Sequence, residues 1–295
     1  MIRRTLPSIL MEIGWIAAAG SALAADLTIR EVQFVPNPAT NDASAFRGGI
    51  HNVVAGIVTH VWHGFNDRVY LQDPNEATWG AIVVKDGEGG ELSNSVNVGD
   101  RVRLDNIYVD EFLGTTFLQY RRTLAPDVSF TILDTGNPIP PPPILTAADV
   151  SNPADRAATE PYESMVISLE GVWVGQRNLG KASDNYELVH QSTVAWATDY
   201  MNVDAGAPYD PRIITGAFLQ RITGVIEQYT KPADGWDYYQ INTRFSADIV
   251  PEPATVWLLV AGAALMLTSR RGRVGNRTIA AAGARNAGSS PAVVC

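Results

Sequence analysis

Apolar and polar residues alternate in short runs between residues 26 and 250, and turn-forming Gly, Pro, Asn and Asp separate the runs. This period of two predicts β-strands, because successive side chains of a strand point to opposite faces. The predicted strands lie at residues 27–35, 53–62, 68–72, 80–85, 101–112, 115–120 and 127–133, and then at 165–174, 185–190, 193–198, 220–229 and 238–243.

The second series of strands repeats the first in order and spacing. Gly56 and Gly171 interrupt the two long first strands, and Gln119 and Gln240 occupy matching positions near the two ends. Preserved order with a slowly growing offset indicates two copies of one domain. A long bent strand, two short strands, a break and a hairpin is the plan of the OB fold. An immunoglobulin-like sandwich needs about seven strands per domain and fits less well.

The two ends of the chain predict export and membrane insertion. Arg3 and Arg4, a mostly apolar stretch at 13–19 and small residues at 22–24 form a secretion signal. Near the other end, residues 254–269 are uncharged and almost wholly apolar. As a helix this run spans roughly 24 Å, short but usable for a bilayer core of about 30 Å. The arginines that follow it should stay cytoplasmic.

Pro251-Glu252-Pro253, the apolar run and the basic cluster Arg270, Arg271 and Arg273 together resemble the PEP-CTERM sorting signal of Gram-negative bacteria. The resemblance implies that an exosortase cuts at the tripeptide, which is its substrate. The protein would first lie in the inner membrane with its N-terminal part periplasmic. It would then reach the cell surface or the extracellular matrix of a biofilm. The chain departs from the pattern by continuing through 274–295, which leaves cleavage open.

We therefore predict an all-β protein of two tandem OB-like five-stranded barrels, plus a C-terminal single transmembrane helix. A proline-rich run after Asn137 is expected to be a stiff spacer. The predicted organisation is a signal peptide at 1–25, barrels at 26–135 and 147–250, a Pro-rich linker at 136–146, the sorting signal with its helix at 251–273, and a disordered tail at 274–295.

Several stretches resemble the OB-like modules of secreted bacterial nucleases and surface proteins. These stretches are residues 54–59, 70–74, 98–102 and 162–166. In such nucleases the module precedes a separate catalytic domain of the endonuclease/exonuclease/phosphatase type. This chain reaches its predicted anchor instead, so the resemblance implies an accessory module without the catalysis.

Charge and cysteine content narrow the function further. Residues 26–250 contain 15 Lys and Arg against 29 Asp and Glu, a net charge of −14, whereas the whole chain carries −9. An acidic surface repels phosphate backbones, so nucleic acid is an unlikely partner. The single cysteine, Cys295, lies outside this region. An exported fold without a disulfide must depend on its hydrophobic core.

Candidate chemistry is sparse, and neither a catalytic residue nor a metal site is predicted. His60, His63 and Asp67 resemble a ligand set, but residues three apart on a strand point to opposite faces. Oxygen-rich turns at 73–76 and 234–237 make calcium a candidate cofactor, and ordinary Asx turns are the alternative. No nucleophile motif such as G-x-S-x-G occurs, so we predict that the protein is not an enzyme.

Aromatic residues are the remaining functional signal, because OB barrels bind oligonucleotides or oligosaccharides on one sheet face. Trp173, on an apolar strand, is expected in the core, whereas Trp236 is expected in an exposed polar turn. The predicted ligand-binding residues are Trp236, Trp79, Tyr108 and Tyr120, with Trp62, Phe112, Trp196, Tyr229, Tyr238 and Tyr239 as further candidates for stacking.

The sequence thus predicts an exported, non-catalytic protein of the cell surface or matrix that binds extracellular polysaccharide or a surface partner. The alternative is a nucleic-acid-binding OB module associated with an extracellular nuclease. A second alternative is a cryptic hydrolase, which would require the two histidines and Asp67 to converge. A local basic strip supports the nuclease-associated alternative, and it consists of Arg101, Arg103, Arg121 and Arg122.

Overall fold

The computed structural model describes residues 26–64, 66–151, 155–180, 184–202 and 209–252. Within these ranges no helix is long and apolar enough to cross a membrane. Several predicted features lie outside the described residues: the signal peptide at 1–25, Pro253, the transmembrane helix at 254–269, Arg270, Arg271, Arg273 and the tail at 274–295.

The first half of the chain folds into a closed five-stranded barrel with two extra strands at its edges. The hydrogen-bonded order is β1-β2-β3-β4-β6-β5-β7, and β2 also pairs with β5, which closes the barrel. β4 and β6 are parallel, and the other barrel pairs are antiparallel. This is the strand order of an OB fold. The strands are β1 (Asp26–Leu27), β2 (Ile50–Trp62), β3 (Arg68–Gln72), β4 (Ala81–Asp86), β5 (Arg101–Phe112), β6 (Thr115–Tyr120) and β7 (Ser129–Asp134).

The second half has the same topology, as the predicted repeat requires. Its order is β8-β9-β10-β11-β13-β12-β14 with an additional β9–β12 pairing, and β11 and β13 form the parallel pair. Even the edge strands correspond, since β1 and β8 both run parallel to the long first strand of their barrel. The strands are β8 (Ile144–Leu145), β9 (Val166–Arg177), β10 (Tyr186–His190), β11 (Thr193–Thr198), β12 (Phe218–Lys231), β13 (Trp236–Asn242) and β14 (Ile249–Pro251).

The helices are short, and one of them replaces a predicted strand. Helix α1 (Ile29–Gln33) occupies most of the stretch predicted as strand 27–35, so that prediction is wrong beyond Leu27. Thr28 and Glu31 form a capping box: the Glu31 N–H donates to Thr28 Oγ1 at 3.1 Å, and the Thr28 N–H donates to Glu31 Oε2 at 2.7 Å. The other helices are α2 (Arg156–Thr159) and 3-10 turns at Glu160–Tyr162, Pro232–Asp234 and Ser246–Asp248.

Each barrel encloses its own apolar core, and the linker between the barrels is held at both ends. Asn137 donates its backbone N–H to the Gly99 carbonyl of the first barrel at 2.8 Å. Leu145, in β8, packs against the core of the second barrel.

The two barrels pack directly against each other along a contact that we name the seam. Its apolar part consists of side chains on the outer faces of β3, β4 and β6 and side chains from the second barrel, all of them buried. The seam residues are Tyr70, Val83 and Phe117 from the first barrel and Val166, Met201 and Val225 from the second.

Candidate ligand-binding face

The seam decides which barrel can offer a ligand surface. An OB barrel binds its ligand on the outer face of its second and third strands. In the first barrel these strands are β3 and β4, and their outward side chains Tyr70 and Val83 are buried in the seam. The second barrel therefore covers the usual ligand face of the first.

A buried carboxylate holds the seam together. Glu227 Oε1 accepts hydrogen bonds from Arg68 Nη1 at 2.5 Å and from the Tyr70 hydroxyl at 2.6 Å. Its Oε2 accepts from the hydroxyls of Tyr229 at 2.9 Å and Tyr200 at 3.0 Å. Burial alone would raise the pKa of Glu227, but Arg68 and the three tyrosine hydroxyls lower it overall. The ionised carboxylate therefore fixes the orientation of the barrels.

The matching face of the second barrel carries a cluster of aromatic rings. Strand alternation turns Tyr238 outward from β13, where its ring centroid lies 4.8 Å from that of Trp196 and 6.3 Å from that of Trp236. Tyr229 stacks on Tyr238 at 5.4 Å with only 10° between the planes. Tyr238 is buried beneath its three half-buried neighbours. We name these four residues the aromatic cluster.

Trp173 adds an exposed ring to the same face, contrary to the prediction that it belongs to the core. Val172 and Val174 point into the barrel, so alternation along β9 turns Trp173 outward, and 50% of its surface is exposed. Its ring lies 5.0 Å from that of Phe218. Burial of its strand neighbours, and not of Trp173 itself, accounts for the apolar run in the sequence.

Glu187 adds a carboxylate to this face. It pairs with Trp196 across β10 and β11, and Val189, two residues along β10, pairs with Trp173. A side chain at Gly175 would lie 2.6 Å from Glu187 Oε2, so the glycine leaves room for the carboxylate. The Gln176 N–H donates to the same oxygen at 2.8 Å.

Together, Trp173, Glu187 and the aromatic cluster form the outer face of the second barrel. We use that name for these six residues. Trp196, Tyr229 and Tyr238 were among the sequence candidates, whereas Trp173 was assigned to the core and Glu187 was missed. The sequence did contain a signal for Glu187. Tyr186 and Leu188 on either side of it are buried, so strand alternation predicts that the Glu187 side chain points outward.

Only one of the four predicted ligand-binding residues belongs to the outer face. Trp236 does, although it begins strand β13 and does not lie in a turn as predicted. Trp79 is 8% exposed, and its backbone N–H donates to the carbonyl of Pro161 in the second barrel. Tyr120 is 1% exposed in the first core. Tyr108 is half-buried against that core. Trp79 and Tyr120 are enclosed, so their assignment to a ligand surface is corrected.

The basic strip that supported nucleic-acid binding is largely neutralised. Three of its four arginines, all except the exposed Arg121, lie beside carboxylates from adjacent strands and turns. The ion pairs join Arg101 to Asp134 at 2.7 Å, Arg103 to Asp26 at 2.8 Å and Asp105 at 2.7 Å, and Arg122 to Glu91 at 2.6 Å and Glu88 at 3.2 Å.

The histidine pair does not converge on a site. His60 is buried between the rings of Tyr70 and Phe245, with centroid distances of 5.9 and 5.2 Å. Burial lowers the pKa of His60 to about 4. His63 is exposed, with Nδ1 3.4 Å from Asp67 Oδ2. Within the described residues no group of three or more His, Cys, Asp or Glu is placed to hold a metal.

The two candidate calcium turns already use their carboxylates for internal contacts. Asp73 Oδ1 accepts the Asn75 N–H at 2.9 Å, which is an Asx turn. In the second turn, Asp234 pairs with Lys231 at 2.5 Å, and Asp237 pairs with Arg156 at 2.9 Å.

A second polar contact between the barrels contains the buried acids Glu160 and Glu163 and the half-buried Glu111, which we name the acidic cluster. Glu163 Oε1 accepts the Thr116 N–H from the first barrel at 3.0 Å, and Glu111 accepts the Thr116 hydroxyl at 2.5 Å. The Tyr239 hydroxyl donates to Glu160. Burial raises the pKa of all three carboxyl groups.

The first two residues of the Pro-Glu-Pro tripeptide are attached to the second barrel. Pro251 ends β14 and is in register with Leu219 of β12. The next N–H, that of Glu252, donates to the Phe218 carbonyl at 3.3 Å. The tripeptide therefore begins at the edge of the folded domain, with no intervening stalk.

Comparisons with known proteins agree with the OB topology and go no further. No protein-family model matches the chain, and no curated protein matches it. Among solved structures, an OB domain from Methanosarcina mazei is 19% identical and covers 32% of this chain and 80% of its own, with a TM-score of 0.25. An OB domain from Thermoplasma acidophilum is 18% identical over 39% and 93%, with a TM-score of 0.24.

A match that extends over both barrels is a murine DNA-binding protein in complex with double-stranded DNA. It is 7% identical and covers 64% of this chain and 92% of its own, with a TM-score of 0.32. A likeness this distant says nothing about the ligand of the present chain.

Proposed function

We propose that this chain is an exported, non-catalytic binding protein whose second barrel holds an extracellular polysaccharide on its outer face. The observation that carries the proposal is a set of partly exposed tryptophans on the outside of the second barrel. Trp196 lies on β11, one of the two strands of the OB ligand face, and Trp173 and Trp236 lie on the flanking strands β9 and β13. Aromatic rings offer large, rigid surfaces that stack against the apolar faces of sugar rings. OB barrels are known to use this face for oligosaccharides.

The charge distribution favours a sugar polymer over nucleic acid. Residues 26–250 carry a net charge of −14, and a binding protein for a phosphate backbone gains most of its affinity from Lys and Arg. Among the six residues of the outer face the charged one is Glu187, and three of the four arginines of the basic strip are paired with carboxylates.

A binding role also fits the chemistry of the outer face better than hydrolysis does. Glycoside hydrolysis ordinarily needs a pair of carboxyl groups flanking the scissile bond. Glu187 is the single carboxylate among the six residues that define the face. We therefore place no catalytic residue here.

The route to the outside completes the proposal. Residues 1–25 direct export, and residues 254–269 hold the protein in the inner membrane with the barrels in the periplasm. Processing by an exosortase at Pro251-Glu252-Pro253 then releases the barrels to the cell surface or matrix. The order of tripeptide, apolar span and arginines in the sequence supports this route.

A panel of immobilised polysaccharides and oligonucleotides tests the ligand. The full-length protein should bind at least one polysaccharide, and Trp196→Ala should weaken that binding about tenfold, as loss of a stacking platform does. Phe112→Ala, which removes an exposed ring from the first barrel, is the matched control and should bind as the unaltered protein does. Failure to bind every polysaccharide on the panel would refute the proposal.

A further inference from the structure

Glu187 is held in one position on the outer face before any ligand arrives. Gly175 gives the carboxylate space to lie against β9, and the Gln176 N–H donates to Oε2 at 2.8 Å. Trp196 faces it across the strand pair. Among the described residues, no Lys or Arg forms an ion pair with Glu187. Within the part of the chain that the structure describes, this carboxylate is therefore fixed and has no basic partner.

A ligand that covers the outer face must compensate this charge. Removing a carboxylate from water is unfavourable unless a counter-charge or strong hydrogen bonds replace the lost water. A ligand ammonium supplies both, because charge-assisted hydrogen bonds are roughly twice as strong as neutral ones. The same cation gains attraction from an indole face, and Trp196 lies opposite Glu187 on the adjacent strand. A uronate or sulfate polymer would bring like charges together.

The charge around the outer face points the same way. Lys231, at the far end beside Trp236, has its Nζ 5.6 Å from that ring and pairs with Asp234 at 2.5 Å. The net charge of −14 over residues 26–250 produces a field that attracts polycations.

We infer that the ligand of the outer face is a polysaccharide with free amino groups, such as a partly deacetylated polymer of N-acetylhexosamine, and that Glu187 binds its ammonium groups. This inference rests on the proposed function and names the substrate class of the same face. Trp173 and Trp196 stack on the sugar rings on either side, and Gly175 keeps the carboxylate accessible.

Binding of matched oligomers to the full-length protein tests the inference. The probes are N-acetylglucosamine oligomers of one length, either fully acetylated or partly deacetylated, and a uronate oligomer of that length. The deacetylated oligomer should bind about tenfold more tightly than the acetylated one, and the uronate oligomer should bind weakest. Glu187→Gln should reduce the tenfold difference to less than threefold.

Glu170→Gln is the charge-matched control, because Glu170 is an exposed carboxylate on the same barrel. If this variant reduces the difference as much as Glu187→Gln does, general attraction of opposite charges explains the preference and the inference is overturned. Equal binding of both oligomers by the unaltered protein also overturns it. If the protein binds neither the three probes nor any other polysaccharide, the proposed function itself is refuted.

A salt series on the unaltered protein keeps the test independent of how well Glu187→Gln folds. Raising ionic strength screens charge attraction, so the preference for the deacetylated oligomer should shrink as salt increases. A preference that does not change with salt would contradict an ammonium–carboxylate contact.

Discussion

At the scale of single residues, two glycines of the second barrel are required for different reasons. A side chain at Gly224 would lie 2.5 Å from the carbonyl oxygen of Asn242 on the neighbouring strand, and backbone cannot move aside cheaply. Gly171 has open space around it but adopts φ of +64°. The first position is restricted by packing and the second by backbone conformation.

Alanine substitutions should separate these two causes. Gly224→Ala forces strands β12 and β13 apart and should lower the free energy of unfolding by about 3 kcal/mol, the upper end for overpacking. Gly171→Ala should cost about 1–2 kcal/mol, the strain of a left-handed conformation. Urea unfolding followed by tryptophan fluorescence measures both. A larger loss for Gly171→Ala would contradict this explanation.

At the scale of elements, the alternation of apolar and polar residues in the sequence was enough to predict most of the strands. Strands β5, β6 and β11 have the predicted bounds. Helix α1 was missed because a single turn shows no periodicity. Its capping box, Thr28 and Glu31, was nevertheless visible in the sequence.

The candidate site was predictable only in part. Trp236 could be found from composition, since aromatic residues collect near the end of β12 and the start of β13. The burial of Trp79 depends on how the second barrel docks, because the backbone N–H of Trp79 donates to the Pro161 carbonyl of that barrel. Tyr120 depends on which face of β6 closes the first core. No local pattern specifies the docking of one barrel on another.

The edge strand β14 gives the proposed sorting route a measurable consequence. Glu252→Ala alters the tripeptide without removing a side chain from the core, and it should keep the protein in the membrane fraction. The released form of the unaltered protein should have a mass that ends at the tripeptide. Intact-mass spectrometry of both fractions measures this. Glu170→Ala is the control, and its release should be normal; a released form that still contains residues 254–295 would contradict processing.

At the scale of the whole molecule, the contact between the barrels contains groups whose shifted pKa values change the stability in opposite directions as the pH changes. Burial and Arg244 lower the pKa of His60 to about 4, opposed by Asp248 and Glu227, with His63 adding to the lowering. Protonation of the unfolded state therefore removes stability as pH falls from about 6.5 toward 4. Burial raises the pKa of Glu160 and Glu163, opposed by Tyr239, Arg156 and the Thr116 N–H.

For the acidic cluster, the stability changes with pH in the opposite direction. The folded state keeps protons that the unfolded state releases, so stability present at low pH is lost as pH rises through the raised carboxyl pKa values. The melting temperature should therefore peak in mildly acidic solution and decline on both sides. Differential scanning calorimetry from pH 4 to 9 measures the profile.

Single substitutions assign the two sides of this profile. His60→Phe keeps an aromatic ring between Tyr70 and Phe245 and should flatten the decline at acidic pH. Glu160→Gln keeps a hydrogen-bond partner for Tyr239 and should flatten the decline at alkaline pH. If either variant keeps the slope of the unaltered protein on its side, that group does not cause the dependence.

The seam finally sets the valency of the molecule. Two copies of a binding fold would ordinarily give two ligand faces, but Tyr70 and Val83 are buried against the second barrel. Under the proposed function, each chain would therefore offer the outer face alone. A monovalent protein cannot cross-link polymer strands by itself. Under the proposed function, many anchored copies on one cell would bind the same polymer together. The avidity of such multivalent binding can exceed the affinity of a single site by about 10²–10⁴. A released copy would coat the polymer without bridging it, so release would convert adhesion into coating.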